Sequence, residues 1–338
     1  MSEPLETIRQ SPVRRLMGVR ILGTGSYLPE RVVTNEDLAA LGFDAQWILQ
    51  RSGIRERRHA PLDMATSDMA VRAAEKCIAS VGVARDEIDL LILATLSPDH
   101  LMPQTAAAVQ HQLGLNCPAV DVSAACAGFM YALVMGMQFV ATGCSRRALI
   151  IGADTNSRVV DPADRTTYPL FGDGAGAVVL APGSPEQGLM AYTLGANGAG
   201  IDLLYRPGGV KPSPGVEQSK RCMGYMQMEG RPVFKWAVRL LEESPPQVLQ
   251  AAGSQLADVK LWILHQANVR ILDAAVESLG IDRDRVVMHL DRYGNTSAGS
   301  IPIALDESLR AGRIRAGDQI LLCGFGGGLS WGTALMRW

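Results

Sequence analysis

The stretch Asp121-Val-Ser-Ala-Ala-Cys126-Ala-Gly128 ends an apolar run and opens a segment of small residues around one thiol. A thiol at a helix start suits nucleophilic chemistry, because N-terminal amides and the macrodipole favour the thiolate over a free cysteine's pKa of about 8.5. Ala124, Ala125, Ala127 and Gly128 leave room for a bulky acyl group to reach the sulfur. Taken alone, the same residue also reads as a buried structural cysteine, a common fate for a free thiol. Two further places narrow the choice. His265-Gln-Ala-Asn268 follows an apolar run at 261–264, which puts His265 at a strand's C-terminal end, where α/β sheets gather their ligands. Asn295, in Tyr293-Gly-Asn295-Thr-Ser-Ala-Gly, stands at the mouth of a second small-residue helix. A lone histidine is usually packed or solvated, and a loop asparagine usually makes a turn. Thiol, imidazole and carboxamide at one sheet edge form a set suited to acyl transfer through a covalent thioester. Gly326-Gly327-Gly328 adds backbone amides without a Cβ, able to approach an oxyanion or to make a tight hairpin.

The elements that must hold these groups follow an α/β pattern. Apolar runs at 19–23, 90–95, 119–122 and 148–153 read as buried strands. Helices are expected at 67–81, opened by Ser67 as N-cap, at 103–113, and at 126–142 before Gly143. The second half repeats the plan. Leu90-Leu-Ile-Leu-Ala pairs with Leu261-Trp-Ile-Leu-His, Cys126-Ala-Gly with Ser297-Ala-Gly, and Leu149-Ile-Ile-Gly with Leu321-Leu-Cys-Gly, at offsets of 171 or 172 residues. A duplicated α/β fold is expected, with halves 17–183 and 184–338 and a loose tail at 1–16. Lys211-Pro-Ser-Pro-Gly reads as an exposed loop.

Composition excludes several classes. A chain of 338 residues, 47% hydrophobic and 20% charged, is ordinary globular material, and a net charge of -2 argues against a nucleic-acid partner. Arg55 to Arg58 remains a local basic patch able to meet an acidic partner. Six scattered cysteines without C-x-x-C or zinc spacing point to reduced thiols and a cytoplasmic protein. No apolar run approaches the length of about 18 residues that a membrane helix needs. Gly23-Thr-Gly25 lacks the third glycine of a dinucleotide fingerprint, and Gly328-Leu-Ser330-Trp-Gly332 is followed by strand rather than helix. Phosphate-loop and H-E-x-x-H motifs do not occur, so neither nucleoside triphosphate, nicotinamide nor metal chemistry is expected.

With these residues in view, the chain resembles the condensing enzymes of the thiolase superfamily, most closely the β-ketoacyl-acyl-carrier-protein synthase III family. The likeness runs through Trp47-Ile48, Ser52-Gly-Ile-Arg-Glu-Arg, 121–131, Asp161-Pro-Ala-Asp-Arg165, Phe171-Gly-Asp-Gly-Ala-Gly, His265-Gln-Ala-Asn268-x-Arg270, Gly294-Asn-Thr-Ser and Phe325-Gly-Gly-Gly. Each motif is weak alone, and together they are specific. The resemblance implies a five-layered α-β-α-β-α fold of two similar halves and a homodimer. It implies that Cys126 takes an acyl group from acyl-CoA, with the amides of Cys126 and Gly327 as oxyanion hole. His265 and Asn295 would then hold the thioester oxygen of malonyl-acyl-carrier-protein during decarboxylation, with no metal or redox cofactor. By the same resemblance Trp47, Arg51 and Arg165 contact CoA, and Arg270 docks the acidic carrier protein.

One departure bears on substrate choice: Met102 stands where some members carry an aromatic at the dimer-contributed end of the acyl pocket. An adaptable side chain there suggests primers longer or more branched than acetyl. The segment 205–224 is a second place where the pocket lining could differ. Three alternatives stay open on sequence grounds. One is a secondary-metabolism relative that passes an acyl group to an alcohol or amine, or joins two acyl chains. The others are a non-catalytic acyl- or CoA-binding protein and a Cys-His-Asn hydrolase.

Overall fold

The computed structural model describes residue 8, residues 11–209 and residues 224–338. The chain opens with β1 (Arg14–Met17), β2 (Val19–Tyr27), β3 (Val32–Thr34), α1 (Asn35–Ala39), α2 (Ala45–Ser52) and β4 (Glu56–Arg58). It continues through α3 (Thr66–Val81), β5 (Leu90–Ala94), α4 (Thr105–Gln112), β6 (Ala119–Val122), α5 (Gly128–Ala141), β7 (Ala148–Asp154) and β8 (Gly174–Pro182). Next come β9 (Gly188–Ala196), β10 (Leu204–Tyr205), β11 (Gln227–Met228), α6 (Gly230–Ala252), β12 (Val259–Leu264) and α7 (Val269–Leu279). The last elements are α8 (Leu290–Tyr293), α9 (Ser300–Arg310), β13 (Gln319–Gly326) and β14 (Ser330–Arg337).

Two mixed five-stranded sheets form the frame, ordered β2-β8-β7-β5-β6 and β1-β9-β14-β13-β12. Their strands are apolar on both sides because both faces are covered, and alternate residues go to different cores. In β7, Ala148 and Ile150 face α5 and α9 between the sheets, whereas Leu149 and Ile151 face α3 and α4 outside. In β13, Ile320 and Leu322 join the same central core, whereas Leu321 and Cys323 meet α6 and α7. Five layers result, α3/α4, sheet, α5/α9, sheet, α6/α7, and each fully buried Leu or Ile contributes about 1.5–3 kcal/mol.

Several expectations need correction. Residues 14–16, expected in a loose tail, belong to β1, which pairs with β9 at the edge of the second sheet, and Ile8 is buried in the core beneath α6. The first strand extends to Tyr27 rather than stopping at Gly23, because Gly25 lies against the backbone of Ala73 and Cys77 in α3, where a side chain has no room. Ser67 sits inside α3, whose start is secured by the Asp68 carboxylate accepting from Ala65 N–H at 2.7 Å. Arg55 to Arg58 is not a continuous basic patch: Arg55 is exposed, but Arg58 is half-buried beside Glu56. Arg57 is fully buried and donates to the carbonyls of Val33 and Pro169 and to Asn35 Oδ1. The Lys211 loop, Cys222 and most of the segment 205–224 lie outside the described residues.

The repeat is also one residue out of the register read from identity. The short turns Ala125–Ala127 and Ser297–Gly299 correspond, as do the helix starts Gly128 and Ser300, at an offset of 172. Ala125 (φ 48°) and Ser297 (φ 51°) share the left-handed backbone of this turn, so the counterpart of Cys126 is Ala298 rather than Ser297.

Candidate active site

Cys126 is carried by the turn that ends β6 and begins α5, with the sulfur-bearing residue only 4% exposed. Across from it runs the end of β13. A Cβ at Gly326 would stand 2.8 Å from Cys126 N and 2.9 Å from Cys126 Cβ, so the backbone of this glycine lies directly against Cys126. Burial dominates the thiol's acidity and pushes it up to about 12, with the nearby Ser297 hydroxyl working the other way and the Asp154 charge adding to the rise. The expected lowering at the helix start is therefore overridden, and the resting group is a thiol.

His265 follows β12, its N–H donating to Cys323 O at 2.8 Å. It is 1% exposed, its Nδ1 lies 2.7 Å from Ser300 Oγ, and its ring meets Phe325 edge to face with centroids 5.1 Å apart. Burial, and then the neighbouring His289, press the imidazole down to about 3, so it is neutral at pH 7. Asn295 is pinned through its backbone, N–H to Leu170 O at 2.8 Å and C=O from Gly172 N at 3.0 Å. Its Oδ1 accepts from Ser297 N–H at 2.8 Å, which commits the carboxamide oxygen and leaves the NH2 group to face the cavity.

These three residues line one cavity of about 610 Å³, within the usual range for small-molecule sites. The cavity also reaches Trp47, 45% exposed on α2, and the exposed Arg51, Arg231 and Arg270, which mark its mouth. Asp44 caps α2 by accepting from Trp47 N–H at 3.0 Å. Asn268 caps α7 through Arg270 N–H and donates to Arg51 O at 3.1 Å, which ties the two arginine-bearing helices together. Arg270 stacks over Phe234 of α6, 5.6 Å from its ring centroid.

Not every expected residue joins the cavity. Arg165 is exposed and its neighbour Thr166 lines the wall instead. Gly327 is buried beside the lining residue Gly326. Met102 is 84% exposed on the surface and touches no part of this cavity.

Three contributors escaped the sequence reading. Asp154, at the end of β7, is fully buried. Its Oδ1 accepts from Thr95 Oγ1, Leu96 N, Ser97 N and Ser97 Oγ, and its Oδ2 accepts from Ala298 N at 3.0 Å. It thereby locks the turn that follows Asn295 onto the first sheet, while burial raises its carboxyl above the usual range. A charge closing an apolar strand was the available signal. Ser300 supports His265, and α6 supplies Arg231 and Phe234 to the mouth; neither carries a motif.

Comparison with known proteins agrees with this geometry. The family model described as 3-oxoacyl-[acyl-carrier-protein] synthase III matches residues 120–198, and its C-terminal companion matches residues 249–338. A β-ketoacyl-[acyl-carrier-protein] synthase III of Rhodopirellula baltica is 52% identical over 96% of this chain and 99% of its own. The crystal structure of the synthase III from Thermus thermophilus superposes with a TM-score of 0.89 at 43% identity, covering 94% of this chain and 98% of that one. The priming β-ketosynthase of the R1128 polyketide pathway is similar at 35% identity and a TM-score of 0.88, over 98% of each chain. A fold of two stacked sheets, a buried thiol, imidazole and carboxamide around one cavity, and near full-length likeness lead to one conclusion: this chain belongs to the β-ketoacyl-[acyl-carrier-protein] synthase III family.

Proposed function

We propose that this protein is an acyl-transferring condensing enzyme that starts fatty-acid synthesis by joining an acyl-CoA primer to malonyl-acyl-carrier-protein. The reading rests on the convergence of Cys126, His265 and Asn295, none more than 6% exposed, at the inner end of a cavity whose mouth carries an indole and three guanidinium groups. In the first half-reaction the Cys126 sulfur attacks the primer thioester, and the amides of Cys126 and Gly327 receive the oxyanion. Collapse expels CoA, and the thiol proton, held tightly by burial, ends on the departing sulfur. In the second, His265 and Asn295 donate to the malonyl thioester oxygen as CO2 leaves and an enolate forms. The enolate carbon attacks the acyl-Cys126 carbonyl, releasing β-ketoacyl-carrier protein and a thiolate that takes up a proton. Loss of CO2 drives the bond formation, so the scheme needs neither metal nor redox cofactor.

In this scheme the exposed Trp47 and Arg165 sandwich the adenine, Arg51 meets the phosphates, and Arg270 receives the acidic carrier protein. The enzyme works in the cytoplasm as a homodimer. Support for the dimer comes from β6, an edge strand, and from Leu101, Met102, Val120 and Phe139, exposed at 68%, 84%, 44% and 43%. In the dimer Met102 closes the partner's acyl pocket and admits branched or longer primers.

The test is incubation with labelled acyl-CoAs of graded length, with and without malonyl-acyl-carrier-protein, beside Cys126→Ala. The expected result is a β-ketoacyl-carrier-protein product that disappears in the variant, formed faster from a longer primer than from acetyl-CoA. Labelled protein without condensation product would refute the condensation and point to acyl transfer to another acceptor. Acetyl-CoA as the best primer would refute the role of Met102.

A further inference from the structure

The duplicated fold offers an internal comparison at His265. Its counterpart in the first half is Ala94, the last residue of β5, and the counterpart of Ser300 is Gly128, the first residue of α5. The two positions face each other in both halves. A Cβ on Gly128 would lie 3.1 Å from Ala94 Cβ, and Ser300 Oγ lies 2.7 Å from His265 Nδ1. One half pairs the two smallest residues; the other pairs an imidazole with a hydroxyl. The hydroxyl therefore accompanies the imidazole rather than the fold.

Hydrogen-bond accounting fixes which way the proton lies. Ser300 is fully buried and does not line the cavity, and His265 is 1% exposed, so the contact between Nδ1 and Oγ has no water to fall back on. A neutral imidazole carries one N–H. If Nδ1 bore it and donated to Ser300 Oγ, the hydroxyl proton would have no acceptor among the hydrogen bonds of the described residues, a costly omission in a dry interior. If Ser300 O–H donates to Nδ1, both groups are satisfied and Nε2 carries the hydrogen. Nε2 is the nitrogen left for the cavity, beside the Asn295 NH2 group, where an enolate oxygen needs donors. A bare Nε2 lone pair would repel it.

We propose that Ser300 is a positioning residue for the malonyl-dependent half-reaction: its hydroxyl donates to His265 Nδ1 and holds the ring in the Nε2–H tautomer. The proposal rests on the reading that His265 serves the malonyl thioester and Cys126 the primer. It separates the two half-reactions. Ser300→Ala is expected to leave the rate of Cys126 acylation by acyl-CoA within about twofold. Decarboxylation of malonyl-acyl-carrier-protein and overall condensation should fall about 10- to 100-fold in kcat with little change in KM, the usual cost of losing the group that orients a catalytic imidazole. Ser300→Thr, which keeps the hydroxyl, should recover most of the loss.

Rapid-quench mass spectrometry reads acylation, and CO2 release reads the second step. Nitrogen-15 NMR of imidazole-labelled protein, with His265 assigned by comparison with His265→Ala, should report a bare, hydrogen-bonded Nδ1 in the natural protein and mixed tautomers in Ser300→Ala. A protonated Nδ1 in the natural protein overturns the proposal even if Ser300→Ala fails to fold. So does full decarboxylation by Ser300→Ala, or an equal loss in both half-reactions, which would mark a merely structural role. Failure of the natural protein to decarboxylate malonyl-acyl-carrier-protein would instead refute the functional reading beneath it.

Discussion

Replacing Gly326 with alanine tests whether the end of β13 sets the position of Cys126, the proposed nucleophile. The backbone there is fully extended, with φ -179°, so any residue adopts it and no strain is introduced at Gly326 itself. The added Cβ, however, would meet Cys126 N at 2.8 Å and Cys126 Cβ at 2.9 Å, and both belong to backbone or its first side-chain atom, with no rotamer to yield. Ordinary contact requires a retreat of roughly 0.6 Å. An oxyanion donor works at about 2.7–3.1 Å, so a displacement of that size carries Cys126 N–H to the edge of hydrogen bonding. Misplacement on this scale costs about 100-fold in rate. The acylation rate of Gly326→Ala, followed by rapid quench and intact-mass spectrometry, is therefore expected to fall about 100-fold, with a stability loss of about 1–3 kcal/mol from overpacking. Gly328→Ala is the control. Its φ of 117° disfavours a side chain, but the nearest atom is the movable Ser330 Oγ at 2.9 Å. That variant should lose about 1–3 kcal/mol of stability and keep acylation within a few-fold. Natural acylation by Gly326→Ala, or an equal loss in Gly328→Ala, would refute the argument.

Three further outcomes follow from the same geometry. Burial depresses His59 to about 4, His265 to about 3 and His289 to about 4, against an unfolded value near 6.5. The unfolded chain thus binds more protons below pH 6.5, and stability present at pH 8 is lost as pH falls, by about 2 kcal/mol per histidine at pH 5. Asp173, raised to about 6 mainly by burial, works in the opposite direction and regains about 1 kcal/mol, and Asp121 and Asp154, also raised by burial, act with it. The histidine contribution is therefore read by difference: the melting temperature of His59→Asn should fall less between pH 8 and pH 5 than that of the natural protein, by the equivalent of about 2 kcal/mol. An equal change in the two proteins would contradict this. Arg270→Glu should lower kcat/KM for malonyl-acyl-carrier-protein about tenfold at low salt and leave acylation by acyl-CoA nearly unchanged, with the difference shrinking as salt rises; a salt-independent loss would count against electrostatic docking. Trp47→Ala should raise KM for acyl-CoA about tenfold, the value of one aromatic stacked on a base, without altering KM for the malonyl substrate; equal effects on both would assign Trp47 to packing in α2.

What could be read from residues alone was whatever is marked by type or by short-range pattern. The strand runs were visible because β5, β7, β12 and β13 are covered on both faces and so are apolar without interruption. Cys126, His265 and Asn295 stood out because reactive side chains at strand ends and among small residues are unusual. The errors have a common physical cause, the meeting of segments far apart in the chain. On sequence alone the strand from Val19 ends at Gly23, because nothing nearby reveals that α3 presses its backbone against Gly25. Arg57 looked like surface charge because its partners, Val33, Asn35 and Pro169, lie up to 112 residues away. Thiol acidity was misjudged for the same reason: the helix start is local, whereas burial of Cys126 is produced by β13 and by the turn at Ser297.

The repeat shows how far identity can mislead about geometry. Cys126-Ala-Gly and Ser297-Ala-Gly align by letters, yet the turns superpose one residue later, Ala125 on Ser297, and the left-handed backbone at both positions fixes that register. With the correct register, the duplicated halves differ where the two chemical steps differ. The first half places its thiol on the turn and leaves Ala94 and Gly128 bare of polar groups. The second half leaves the turn position to Ala298 and builds an imidazole and its hydroxyl partner at the strand end and helix start. Asp154, accepting from Ala298 N–H across 144 residues and from Thr95, Leu96 and Ser97 after β5, then ties the turn of the second half to the end of the first sheet, beside the Cys126 turn. On the proposed mechanism the nucleophile is thus a modification of the turn in one half and the enolate-binding imidazole a modification of the strand end in the other, and their spacing depends on a buried carboxylate and on Gly326, neither of which touches substrate through a side chain. Substitutions at the turn of either half should accordingly perturb one half-reaction, whereas loss of the Asp154 carboxylate, as in Asp154→Ala, should slow acylation and decarboxylation together.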